Sequence, residues 1–544
     1  MKKKLVLMVL ICLMIVGFFA LKPLGIISKD VDYFIFDDDT ELSKFLETNF
    51  FINIGDDRKI KIDFKGDGKK YVGVAYLPGD TDVNDCYLSW ENEDVVVIKK
   101  LKHFKSGQYQ IAGVGYDSVF FVKTNKKKYD FMLTTIQGSN SIDSLFINID
   151  EDKGTIEEMN SDLEHNTECF GTASFNDNDY CISIKGRGNA TWFRGEKKPY
   201  NITFFENDNF EEKIKVNMIE DEKSKKWSLL ANYADPSLLR NRIGYSLAND
   251  MGVGLLSKYY DVWMNGEYLG NYLITPKNDY KASKNGFILE LDNHIDNEDP
   301  QFHLSNGNGI IKSLLFTVKD DSGKFGTEKI KEWMQKAWDA IEKYDSEEYQ
   351  QYIDIESWAK VYLLHELYKN YDVVNGSILM HRDGEDINDK LIAGPIWDLD
   401  NALGTVDWND QNGMDFEHSL SADYKYIESV NLNNNNYCLL QELYKHESFK
   451  KEVTSTYEKY KDRINKTLNQ IDSECEELNM SIEMNNMRWP VNKISYNNYK
   501  LKEYLEFANN DHPTKFFATN DYYDYLENLK IYVKARIEFM EENY

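Results

Sequence analysis

Two short stretches concentrate the residue types that phosphoryl chemistry uses. Asn370-Tyr371-Asp372-Val373-Val374-Asn375-Gly376-Ser377 follows one apolar run, and Ile396-Trp397-Asp398-Leu399-Asp400 follows another. Carboxylates at Asp372 and Asp398, separated by a hairpin-like segment, suit a divalent cation and a proton acceptor at one phosphoryl-transfer site. Asp is also an ordinary turn and helix-cap residue, so spacing alone does not separate chemistry from local structure.

The elements that must position these carboxylates come from both sides of them. Upstream, two strand-like runs flank the loop Lys185-Gly186-Arg187-Gly188-Asn189-Ala190-Thr191-Trp192. Glycines let backbone N–H groups approach an anion closely, and Arg187 adds fixed positive charge. Lys197 and Lys198 then open a strand whose alternate side chains face opposite ways, so one of them points inward. A glycine loop followed by an inward lysine is what a nucleoside triphosphate needs, although Gly-x-Gly alone is a weak signal. Asp235-Pro236-Ser237 reads as a helix start with Asp at the cap and Pro at the first position. That helix runs through Leu238, Leu239, Ile243, Tyr245 and Leu247 to near Gly252, with Arg240, Asn241 and Arg242 in its first turns. A solvated face is the reading for Arg242. The strand GFILELDN brings Glu290 and Asp292 to where a β-rich lobe would meet a helical one, though edge-strand charges read the same way.

Composition limits what this chemistry can serve. The 544 residues are enough for more than one domain, and 42% hydrophobic with 14% aromatic residues supports sizeable cores. The formal net charge of −28 argues against nucleic acid as a partner, since the mean field repels a polyanion. The chain begins with three lysines and an apolar run from Leu5 to Leu21, so residues 1–25 read as a signal peptide or a signal anchor, with an anchor favoured. The remainder is then exported, either secreted or held at the membrane by this segment only. Cys169 and Cys181 flank a hairpin and could bridge; buried free thiols are the equal alternative.

Taken in order, residues 30–135 read as a small β-rich module with one helical pattern, TELSKFLETNFF. Strands continue from 140 to 320, including a hairpin at Asn265-Gly266, the strongest short hairpin signal. From 321 to 544 the period turns helical, interrupted by ILMHRDGEDINDKLIAGPIWDLD, which reads as two strands, the second delivering Asp398.

The run KGRGNATW, KKPYNI, KWSLLANYADPSLLRNRIGYSLANDMG, YDVWMNGEYLGNYLI, GFILELD, NYDVVNGS and IWDLDNALG resembles, in order, the CotH family of spore-coat and secreted proteins, whose members are atypical protein kinases. The resemblance covers residues 140–544. It implies an α+β fold of the two-lobe protein-kinase kind, a β-rich lobe (140–320) and a helical lobe (321–544), preceded by the β-rich module and the hydrophobic anchor. It also implies ATP with Mg²⁺ or Mn²⁺, and a protein substrate with a Ser or Thr acceptor. Asp372 matches the catalytic aspartate, and Asp398 the metal-binding one, with Asp400 as a second carboxylate. Arg187, Gly188 and Asn189 would cover the phosphates, Lys197 or Lys198 would contact them, and Glu290 is counted among the nucleotide-binding residues. Arg240 and Asp235 match a polar helix-start motif with a positioning role. Protein kinases place a metal-binding Asn five positions after the catalytic Asp, where this chain has Ser377; Asn375 lies two residues earlier and is the substitute ligand. Ser377 and the export signal support an alternative, a weak or inactive kinase fold serving as a surface binding protein. A structural envelope component without nucleotide is a third reading.

Overall fold

The computed structural model describes residues 49–55, 58–66, 71–91, 96–99, 109–110, 118–123, 128–188, 190–233, 235–277, 285–292, 299–370, 373, 376–384, 389–400, 402–403, 438–490 and 522–544. The N-terminal apolar segment, Asn189, Asp372 and Asn375 lie outside them. The chain divides into two compact units, one of residues up to Tyr76 with Thr81–Ile136, the other of Leu77–Asp80 with Gln137–Tyr544.

The first unit is all strand apart from one short 3-10 turn among the described residues. One sheet orders Arg58–Lys61, Phe50–Ile54, Cys86–Trp90 and Tyr109–Gln110; a second orders Asp63–Gly66, Tyr71–Leu77, Lys128–Gln137, Ser118–Lys123 and Val96–Lys99. Ile52 pairs with Ile60 and Leu88 on one buried face, and Phe50 and Phe51 beside it are buried as well. The helical pattern expected over TELSKFLETNFF does not extend to its end, because Phe50 and Phe51 pair in a strand with Trp90 and Ser89. Two bulky aromatics favour a half-buried sheet surface over a helix terminus.

In the second unit seven strands close into a barrel. We label them β1 (Asp143–Ile149), β2 (Glu168–Phe175), β3 (Asn178–Gly186), β4 (Tyr200–Phe205), β5 (Lys226–Leu230), β6 (Lys258–Met264) and β7 (Glu267–Pro276). Their order is β1-β2-β3-β4-β5-β7-β6, and β1 closes the ring by pairing parallel with β6. Leu145, Ile147, Ala173, Ile182, Ile184, Ile202, Trp227, Val262 and Ile274 fill the interior. Asn265 and Gly266, both at positive φ, make the expected tight turn between β6 and β7. Between β1 and β2, within the stretch expected as strand, lies α1 (Ile156–Ser161); Thr155 and Glu158 close a capping box on it. Cys169 and Cys181 are free thiols: Cys181 pairs with Thr172, and the Cys169 sulfhydryl donates to the Thr155 carbonyl at 3.3 Å.

A five-stranded sheet follows, made of β8 (Phe287–Leu291), β9 (Gln301–Asn306), β10 (Gly309–Asp320), β11 (Ile378–Arg382) and β12 (Ile392–Ala393) in the order β9-β10-β8-β11-β12. Two of its strands thus come from beyond residue 321. The strand expected to deliver Asp398 is only Ile392–Ala393; residues 394–399 then run without regular structure. Helices cover the rest: α2 (Ala190–Arg194), α3 (Arg240–Asp250), α4 (Thr327–Ile341), α5 (Ile355–Tyr368), α6 (Leu439–Tyr444), α7 (Glu447–Ile464), α8 (Thr467–Leu478), α9 (Met480–Arg488) and α10 (Tyr522–Asn543). The fold is mixed α+β. On α4 the buried Ile330, Met334, Ala337, Trp338 and Ile341 form one stripe at helical spacing. By contrast, α5 is buried on every side from Val361 to Tyr368, capped by Asp354 at its start and ended by Lys369 at φ 45°. Among the described residues, no helix is long and apolar enough to cross a membrane.

Candidate active site

Among the described residues, Trp397–Asp400 and Ala402–Leu403 belong to no strand, so their backbone must be held from outside. Helix α3 does this. Arg240 donates its Nε–H to the Ala402 carbonyl at 2.8 Å and an η nitrogen to the Leu403 carbonyl at 3.2 Å. Asn241 accepts the Leu399 backbone N–H at 2.9 Å, and the Tyr245 hydroxyl hydrogen-bonds the backbone of Asp398. Gly244 completes this face: a Cβ there would sit 2.1 Å from Leu399 Cδ1. Residues 240 and 244, and 241 and 245, are pairs four apart, so they form one surface of the helix.

Asp235 fixes that helix. It is not the N-cap, as the sequence suggests; the helix begins later, with Leu239 at the cap position. Asp235 instead accepts the Ser237 and Arg240 backbone N–H groups at 3.0 and 2.8 Å and pairs with the Arg240 guanidinium, both side chains fully buried. Arg242 is not on a solvated face either. Its Nε–H is shared between both carboxylate oxygens of Glu474 at 2.9 and 3.0 Å, because α8 packs beside it.

Helix α5 enters from the other side. Asn370, directly after its αL end, donates its side-chain N–H to the Asp398 carbonyl at 3.2 Å, and the Leu403 N–H bonds the Tyr368 carbonyl at 2.7 Å. The Asn370 side chain, two residues before Asp372 in sequence, therefore ties the end of α5 to the backbone of Asp398. Ser377, at φ 59°, leads into β11, whose Ile378 pairs with Leu291 and Leu379 with Glu290.

The charges converge at Asp398. Burial pushes its carboxyl well above the usual carboxylate range, helped by the charge and hydrogen bond of Asp400 and by the charge of Asp292; Arg187 opposes the rise. Glu290 is also pushed up, first by burial and then by Asp292 and Asp398, against the pull of Lys319 at 3.3 Å. Arg187 has its guanidinium 5.1 Å from the Trp397 ring centroid, and Trp397 stacks on Tyr245 at 6.3 Å and 13°. Burial lowers the Arg187 pKa, while Asp398, Tyr245 and Asp400 act to raise it. Arg187, Glu290, Asp398 and Asp400 are thus brought together.

The lysine pair is placed with other partners. Lys197 is buried and bonds the Asn271 carbonyl and Asn485 Oδ1, with Asp261 as its opposing charge; burial lowers its pKa to about 7. The half-buried Lys198 donates to the Trp192 carbonyl at 2.5 Å and lies over that indole. The loop glycines also divide their work. A Cβ on Gly186 would meet the Trp192 ring at 2.5 Å, so Gly186 serves packing, whereas at Gly188, which stands at φ 77°, a Cβ would meet nothing closer than Pro199 Cγ at 4.0 Å.

Lys319, Tyr245 and Trp397 belong to this site and were not legible as such. A lysine on an alternating strand and aromatics at core spacing look like solvated charge and core filling. Among the described residues, no group of three or more His, Cys, Asp or Glu side chains could hold a metal ion by itself. The oxygen-only pair Asp398 and Asp400 fits a Mg²⁺-type ion, which takes one or two carboxylates and completes its shell with water and phosphate oxygens.

A family model described as CotH kinase protein matches residues 182–540, and the chain belongs to that family. No curated protein matches it.

Proposed function

We propose that this protein is a CotH-like atypical kinase that transfers the γ-phosphate of ATP to Ser or Thr of a surface, coat or secreted protein. One observation carries the reading: the loop arginine Arg187 and the carboxylates Asp398 and Asp400 act on one another at a single place, held there by α3 and α5. Asp398 and Asp400 would hold Mg²⁺ or Mn²⁺, which, when bound, neutralises charge on the transferred phosphoryl group. Arg187 meets phosphate oxygens with its planar fork of donors, and the Gly188 backbone lies beside it. Lys319 neutralises Glu290 and keeps that carboxylate from repelling the nucleotide. Asp372 orients the acceptor hydroxyl and takes its proton, and Asn375 and Ser377 would add oxygen ligands to the metal. In this reading the barrel is the β-rich lobe, the helices form the second lobe, and residues 1–25 carry the chain to or through the membrane.

The test uses the full chain with Mn²⁺ and γ-labelled ATP. Label transfer to the protein itself or to an added protein is expected, and loss of transfer in both Asp372→Ala and Asp398→Ala. A wild-type protein that neither transfers label nor binds Mn²⁺–ATP refutes the proposal.

A further inference from the structure

The cations near the phosphate loop are not equivalent. Lys197 spends its ammonium on Asn271 and Asn485 inside a buried cluster, and Lys198 spends its own on the Trp192 carbonyl. Arg187 differs. Among the described residues, no carbonyl or carboxylate takes a hydrogen bond from its guanidinium, which rests over Trp397 with Asp398 and Asp400 as opposing charges. A cation over an aromatic ring gains roughly 0.5–2 kcal/mol without using a hydrogen bond, so the donors remain open to a ligand.

Trp397 is itself immobilised. It stacks on Tyr245, whose ring is buried on α3 and whose hydroxyl bonds the Asp398 backbone. An aromatic column therefore runs from α3 through Tyr245 and Trp397 to the guanidinium, and Trp397 is the residue next to Asp398. Movement of this column shifts Arg187 and Asp398 together. We propose that Trp397 is a positioning residue that holds Arg187 beside Asp398 as the cation receiving the nucleotide phosphates, a part the Lys197–Lys198 pair does not play. The inference rests on the nucleotide-binding reading above. Arginine suits this place better than lysine because it stacks on a ring and presents two parallel donors to phosphate oxygens.

The experiment titrates the full chain calorimetrically with Mn²⁺–ATP and, separately, with adenosine, which carries no phosphate. Arg187→Gln and Trp397→Leu are each expected to weaken Mn²⁺–ATP by about tenfold or more while leaving adenosine within about twofold. Trp397→Phe keeps a ring under the guanidinium and is expected to recover most of the affinity. Thermal melts accompany each variant, and if Trp397→Leu does not fold, Arg187→Gln and Trp397→Phe decide. Three results overturn the inference while the wild type binds: Arg187→Gln with wild-type ATP affinity, Trp397→Leu weakening ATP and adenosine alike, or Trp397→Phe no better than Trp397→Leu. A wild type that binds no Mn²⁺–ATP removes the nucleotide reading itself, and this inference with it.

Discussion

Asp398 carries a conflict that stability alone would not retain. Its half-buried carboxyl is hydrogen-bonded to Asp400 and faced by the charge of Asp292, with Arg187 the opposing cation. Like charges at close range disfavour ionisation, and a site that keeps them together is one where a cation or reaction needs them. Asp398→Asn is therefore expected to raise the melting midpoint by a few degrees while weakening Mn²⁺–ATP binding by about a hundredfold. Melting curves and titration of the same variant check both halves. A variant that melts lower than the wild type contradicts the like-charge account. One that melts higher and still binds Mn²⁺–ATP contradicts the ligand assignment. The pH dependence follows the same logic. A carboxyl whose folded pKa is raised binds its proton more readily folded than unfolded, so its contribution to stability is fullest at acid pH. That contribution is lost as pH rises through the raised value, unless a divalent cation is present.

At the scale of the element, α3 is the part on which the site depends. One of its faces supplies the Arg240 and Asn241 hydrogen bonds and the Tyr245 ring, with Gly244 leaving room for Leu399. Gly244→Ala sets a methyl 2.1 Å from the buried Leu399 Cδ1, so overpacking is expected to cost about 1–3 kcal/mol and to displace Asp398. Denaturant unfolding and Mn²⁺–ATP affinity should fall together; unchanged affinity would mean that the Asp398 segment is held by something other than this helix face. The buried Asp235–Arg240 pair beneath it is more demanding. Arg240→Met leaves Asp235 charged and buried, and a loss of about 3–5 kcal/mol is expected in urea unfolding, with the Asp235→Asn, Arg240→Met double variant less damaged than the single one. The sequence made some of this legible. Polar residues at Arg240 and Asn241 stand out on a packing helix, and one lysine of the pair, Lys197, does point inward, although both lysines precede β4, which begins only at Tyr200, so strand alternation is not the cause. Their partners were not legible, because Ala402 is 162 residues from Arg240 and Asn485 is 288 from Lys197. Local pattern reports which way a side chain points, while the chain's tertiary packing decides what it finds there. Residues 395–399 show the same limit: beyond Gly394, whose N–H still bonds Leu379 of β11, the apolar run read as a strand is irregular, because its hydrogen bonds go to Val253, Asn241 and Asn370.

For the molecule as a whole, the buried cluster around Lys197 ties the barrel to α9. Asp261 accepts from Tyr268, Asn271 and Ser481, and Asn485 accepts from Lys197 and from the Asn271 backbone, all of them buried. Burial lowers Lys197 to about 7 from its ordinary 10.5, with Asp261 acting against that shift, and pushes the Asp261 carboxyl up. Between pH 7 and 10.5 the unfolded chain keeps the Lys197 proton that the folded chain has released, so stability rises with pH, by at most about 1.4 kcal/mol per unit. Cys438 and Cys475 work the other way. Burial holds both at about 11 against an ordinary 9.0, so above pH 9 the folded chain binds protons that the unfolded chain has lost, and stability falls. Stability of the larger unit is thus expected to climb from pH 7 to about 9 and then turn over. Nine of the ten tryptophans lie in that unit, so tryptophan fluorescence in urea at pH 7, 8, 9 and 10 reports it. Lys197→Met should flatten the climb without removing the fall, since the thiols stay. A variant with the wild-type slope between pH 7 and 9 would show that Lys197 keeps its proton in the folded chain, and the cluster joining α9 to the barrel would then be a charged pair of Lys197 with Asp261.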